Sequence, residues 1–157
     1  MKRTVLGEKN MDKLQHNQAA LDRIKDRDTF VYFLDMELKR VRRYQDFFSI
    51  ILLRLVKSAH RLQDVAMETV YDKVKEILAQ EARETDILGD MEEGKIAILL
   101  PYADAKLAEL AQQRFNDLLE PCDFIIKGLE INFKRFCFPS HARITGDILQ
   151  EVLDIPS

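Results

Sequence analysis

Glycine is scarce in this sequence. Five glycines in 157 residues leave little material for loops whose backbone N–H groups close on a phosphate. No G-x-S-x-G elbow is present, so the common nucleophile-bearing turn is also excluded. Cysteine is scarcer still. Cys122 and Cys137 lack C-x-x-C spacing and are too few for a disulfide framework, so they read as two buried thiols. The three histidines, His16, His60 and His141, show no H-E-x-x-H or paired spacing, and no metal site is expected from them. No apolar run reaches the roughly 20 residues that span a bilayer. The longest, Phe47 to Val56, is interrupted by Arg54. The opening stretch MKRTVLGEKNMDKLQ has basic residues with no apolar core behind them, so no signal peptide is expected. These absences point to a cytoplasmic protein without a membrane partner. A net charge of −3 lacks the basic excess of nucleic-acid binders. The local cluster Lys39, Arg40, Arg42 and Arg43 reads as a solvated helix end.

What is present fits an ordinary globular domain. The chain is 46% hydrophobic and 32% charged, a balance that supports one core. Residues 10 to 27 read as a polar helix with a thin seam of Met11, Leu14, Leu21 and Ile24. Residues 29 to 44 place Phe30, Phe33, Leu34, Leu38 and Val41 at helical spacing. DFFSIILLRLV then reads as a strand buried on both faces. A helix follows over 62 to 81. ILGDM and KIAILLP flank the turn Glu92-Glu93-Gly94, which signals a hairpin. Residues 103 to 119 predict another amphipathic helix, with Leu107, Leu110, Ala111, Phe115 and Leu118 on its apolar side. Strands are expected near Asp123 to Ile126 and Leu129 to Phe138, and a last helix over Thr145 to Leu153. The element order implies an α+β fold, an α/β sandwich with a central sheet flanked by helices. Residues 1–27 read as an N-terminal helical extension and 28–157 as the domain proper.

The stretch RETDILGDMEEGKIAILLP is similar to the signature region of the bacterial GGDEF family, the diguanylate cyclase fold. An R-x-S-D-like segment precedes the hairpin and an apolar strand ending in Leu-Pro follows it. DTFVYFLDMELKRVRRY resembles that family's first helix, SIILLRLVK its metal-bearing strand, VAMETVYDKVKEIL its next helix, and EINFKRFCFP the strand before its Tyr-Pro turn. The resemblance covers roughly residues 22 to 153. It implies a sheet rich in antiparallel pairs, similar to nucleotide cyclase and polymerase palm domains.

The resemblance also implies what is lost. Joining two GTP molecules is phosphoryl transfer, which needs divalent metal and hard oxygen ligands. Where the family carries strand-end aspartates this chain has Arg54 and Val56. The signature loop aligns with Glu92, Glu93, Gly94 and Lys95, so two glutamates replace glycines and Gly94 and Lys95 replace acidic residues. The loop whose Asn and Asp read guanine is shortened. Glu92 and Glu93 read as solvated carboxylates, and no metal ligands, cofactor or catalytic residues are expected. The expected class is therefore a non-enzymatic signalling module.

One motif of the family persists. Arg83-Glu84-Thr85-Asp86 stands five residues ahead of Glu92, at the spacing of the family's product-binding R-x-x-D site. Arg114 falls where a second arginine is often added. Arginine grips phosphate or a guanine edge with two donors and stacks on a base. The expected partner is thus cyclic di-GMP, held by Arg83, Asp86 and Arg114. The alternative is a dimerisation or protein-interaction module that binds no nucleotide, with Arg83 and Asp86 forming only a local salt bridge and Arg114 snorkelling.

Overall fold

The computed structural model describes residues 11, 15, 19, 21–57, 67–122 and 128–139. Among them the chain runs β1 (Ile24–Lys25), α1 (Arg27–Tyr44), β2 (Phe48–Lys57), α2 (Met67–Glu81), β3 (Ile87–Asp90), β4 (Lys95–Pro101), α3 (Ala105–Leu119), a short 3-10 turn (Glu120–Cys122) and β5 (Leu129–Phe138). The five strands form one sheet in the order β1-β3-β4-β2-β5. Only the β1–β3 pairing is parallel. The sheet is thus antiparallel-rich, as expected.

β2 shows why its sequence is an unbroken apolar run. Alternate residues of a strand point to opposite faces, and both faces here are covered. Ile50 and Leu52 pack with Phe30, Leu34, Leu38 and Val41 of α1. Ile51, Leu53 and Leu55 pack with Val70, Val74 and Leu78 of α2 and with Phe115 and Leu119 of α3. β4 divides in the same way, with Ala97 and Leu99 toward α1 and Ile96, Ile98 and Leu100 toward α2 and α3. The result is three layers: α1, the sheet, then α2 and α3. β5 is the outermost described strand on its side. Its exposed Glu130, Asn132, Lys134 and Arg135 are the kind of charged and polar edge that resists pairing with another chain.

Asp26 caps α1 by accepting from the Thr29 N–H at 2.8 Å, and Asp104 caps α3 from the Leu107 N–H at 2.9 Å. An aspartate at this position satisfies one of the donors that the first turn of a helix leaves open.

Four expectations change. The helix predicted over 10 to 27 does not continue to its end: Asp22 and Arg23 turn, and Ile24–Lys25 pair with Leu88 and Gly89. Leu107 and Leu110 do not belong to the core but are 47% and 55% exposed. Arg40 is not merely solvated, since it bonds both Glu37 and Asp46. Cys122 and Cys137 are free thiols only partly buried. The strand expected near 123 to 126 and the helix over 145 to 153 lie outside the described residues, as does the shortened loop after β2.

Candidate ligand-binding site

β2 ends against the β3–β4 turn. Arg54 pairs in register with Lys95 on one side and Asn132 on the other. Two cationic residues therefore occupy directly opposed strand positions. Among the described residues, no three His, Cys, Asp or Glu side chains converge as a metal site would require.

The turn itself is held from two sides. Lys95 N–H donates to the Glu92 carbonyl at 3.1 Å, and Leu55 N–H donates to the Gly94 carbonyl at 2.8 Å. From beneath, the Tyr71 hydroxyl contacts the Asp90 carboxylate, which also accepts from Lys75 at 3.2 Å and from the Glu92 N–H at 3.0 Å. Burial and the adjacent carboxylate push the Tyr71 hydroxyl well above the ordinary tyrosine range. The turn backbone is left-handed throughout, with φ of 66° at Glu92, 52° at Glu93 and 74° at Gly94. The central residues of the Glu92–Lys95 turn thus have the positive φ of a type I′ turn, which glycine adopts without steric cost and glutamate does not. Glu93→Gly is accordingly expected to stabilise the protein by about 1 kcal/mol, raising Tm by about 2–4 °C. Thermal unfolding checks this, and an unchanged or lowered Tm contradicts it.

On the other side of the hairpin the R-x-x-D segment forms the entry to β3. Its carboxylate bonds the main chain and not the neighbouring guanidinium: Asp86 Oδ2 accepts from the Arg83 N–H at 2.9 Å, and the Asp86 N–H returns to the Arg83 carbonyl at 3.0 Å. This small ring leaves the Arg83 side chain exposed. Burial raises the Asp86 carboxyl above its ordinary range, against the opposing pull of the Arg83 N–H and of Arg114, Arg83 and Arg23. Such a carboxylate gains from any further donor brought to it.

Arg23 fixes this loop from the N-terminal side. Its guanidinium donates to the carbonyls of Ala79, Ala82 and Arg83. The Ala79 carbonyl is one of the acceptors left open where α2 ends, and a cation there also suits the helix dipole.

Arg83, Thr85 and Asp86 share one cleft with Leu100, Pro101, Tyr102 and Ala103 at the end of β4 and with Leu107, Leu110, Ala111 and Arg114 on α3. The cleft has a volume of about 460 Å³, within the usual range for small-molecule sites. The Arg114 guanidinium lies 5.0 Å from the centre of the Phe115 ring. Its Nε is buried and finds no hydrogen-bond partner among the described residues. A buried donor left without an acceptor costs about 1–3 kcal/mol, so Arg114 is held at the cleft at some expense to stability. The three residues singled out by spacing therefore come together at one cavity, although they belong to separate elements.

Solved structures of similar shape give the fold its name. A DGC protein from Thermotoga maritima superposes with a TM-score of 0.69 at 16% identity, over 86% of this chain and 97% of that one. This chain has the GGDEF fold. The GGDEF domain of YfiN from Pseudomonas aeruginosa matches with a TM-score of 0.59 at 17% identity, over 81% and 84% of the two chains. A microbial GGDEF domain solved for its interaction with cyclic di-GMP matches with a TM-score of 0.58 at 13% identity, over 82% of each. At such identities the likeness establishes the fold alone. No protein-family model matches the sequence, and no curated protein does.

Sequence reasoning missed Tyr102, Leu107 and Leu110 as parts of the cleft. A signal was there: Leu107, Leu110, Ala111 and Arg114 stand at i, i+3, i+4 and i+7, one stripe of a helix. The buried stripe of α3 is a different one, made by Ala108, Phe115 and Leu119.

Proposed function

We propose that this chain is a non-catalytic signalling module of the GGDEF fold that takes cyclic di-GMP in the cleft between the Arg83–Asp86 loop and α3. The observation that carries the reading is the convergence of Arg83, Asp86 and Arg114 on one cleft. Cyclic di-GMP offers matching groups. Its phosphates and the guanine O6 and N7 accept from arginine, and the guanine N1 and N2 donors suit the Asp86 carboxylate. The non-catalytic reading is supported by Arg54 and Val56 on β2, where the resemblance places the family's strand-end aspartates, since phosphoryl transfer needs divalent metal and carboxylate ligands.

Titration calorimetry with cyclic di-GMP tests the binding. Saturable heat is expected, and no heat from folded protein with ligand at tens of micromolar overturns it. Incubation with GTP and Mg²⁺ or Mn²⁺ is expected to yield no cyclic di-GMP, and robust product overturns the non-catalytic reading. Recognition of a protein partner or a second copy, with no nucleotide, is the alternative. It draws on Leu107 and Leu110, both exposed at the same cleft, and it predicts a melting temperature indifferent to cyclic di-GMP.

A further inference from the structure

We infer that Tyr102 is a preformed stacking platform for a planar base in this cleft, an inference that rests on cyclic di-GMP binding there. Tyr102 lines the same cavity as Arg83, Asp86 and Arg114, yet it is 58% exposed. Burial, the usual reason to keep a large aromatic ring, is therefore not what holds it. Its backbone is also costly. With φ of 60° it lies in the left-handed region, where a bulky residue is a genuine outlier. Such strain persists only where the surroundings enforce it, and it gathers at binding sites. Here the Tyr102 N–H donates to the Phe47 carbonyl at 3.2 Å, between β4's end and the start of β2.

The ring is held as well as the backbone. The Arg40 guanidinium lies 4.3 Å from the Tyr102 ring centre. Arg40 is itself clamped by Glu37 through Nε at 3.1 Å and by Asp46 through Nη1 at 2.6 Å. A cation held against a ring attracts it through the ring quadrupole, and the exposure of Tyr102 leaves ring surface for a ligand. Nearby Leu107 and Leu110 supply exposed apolar surface. Arginines for phosphate, a carboxylate for a purine edge, and an exposed ring for a purine face together make a dinucleotide-shaped set. Stacking of a base on an aromatic side chain is sequence-tolerant and makes a measurable contribution to affinity.

The test uses the full chain and cyclic di-GMP. Tyr102→Phe keeps the ring and is expected to bind as the wild type does. Tyr102→Ala is expected to bind about tenfold or more weakly, in line with stacking on other platforms, while remaining folded by circular dichroism. If the alanine variant fails to fold, Tyr102→Leu replaces it with the same expectation. The chain contains no tryptophan, so Tyr102→Trp places a single indole at the cleft. Its fluorescence is expected to be quenched with the same midpoint as the calorimetric titration. Wild-type binding that Tyr102→Ala or Tyr102→Leu leaves unchanged, with no quenching in Tyr102→Trp, overturns the platform and spares the binding site. A wild-type protein that takes up no cyclic di-GMP removes both.

Discussion

Gly89→Ala is expected to cost about 3 kcal/mol or more, lowering Tm by about 6–12 °C. A methyl group built on Gly89 would lie 2.5, 2.6 and 2.8 Å from Cγ, Cδ2 and Cβ of Phe30. These contacts are too short to persist, and the obstacle is not a flexible tip. Phe30 is fully buried one turn into α1, whose start is fixed by the Asp26 cap. To admit the methyl, α1 must rise off the sheet or β3 must shift. Either movement disturbs Leu34, Leu38 and the α1 layer behind them. Differential scanning calorimetry reads the effect. A fall of under about 2 °C would mean that α1 repacks freely and that this contact does not fix its height above the sheet. Adding Phe30→Ala should cost less in the Gly89→Ala background than in the wild type, because the two residues share one contact.

Arg114→Met is expected to separate binding from stability. Methionine keeps most of the apolar stem but removes the guanidinium. Loss of a charged, hydrogen-bonding group from a desolvated site costs about 2–5 kcal/mol of affinity, so cyclic di-GMP should bind at least about thirtyfold more weakly. The unliganded protein should melt within about 3 °C of the wild type. Two opposed effects produce that near-cancellation. The variant loses the attraction between Arg114 and Asp86, and it also loses a buried Nε that lacks a partner. Calorimetry and thermal unfolding on the same preparation decide the matter. Unchanged affinity would take Arg114 out of the site, and a large fall in Tm would make it a structural residue.

Much of the fold was legible because its strongest signals are local. The run from Phe48 to Leu53 carries no charge, and a strand covered on both faces needs none. Phe30, Leu34, Leu38 and Val41 repeat at the helical period, and all four are buried beneath one layer. β1 was not legible. Two residues have no period, and Ile24–Lys25 are a strand only because Leu88 and Gly89 lie alongside them. Leu107 and Leu110 misled for a different reason: α3 carries two apolar stripes, and periodicity does not say which one meets the sheet. The role of Arg40 was hidden because Tyr102 lies far along the chain, and only folding brings the two together. Arg83, Asp86 and Arg114 were found through the resemblance in their spacing. Their shared cleft is visible only in three dimensions.

The three carbonyls gripped by Arg23 have a mechanical consequence. They belong to Ala79 in the last turn of α2, to Ala82 just beyond it and to the first residue of the R-x-x-D segment. Arg23 itself stands at the point where the leading segment passes into the sheet through Ile24–Lys25. The route by which the chain enters the domain is therefore bolted to the loop beside the cleft. Pulling the leading segment away must uncap α2 and release Arg83 together, and holding Arg83 in place resists that pull.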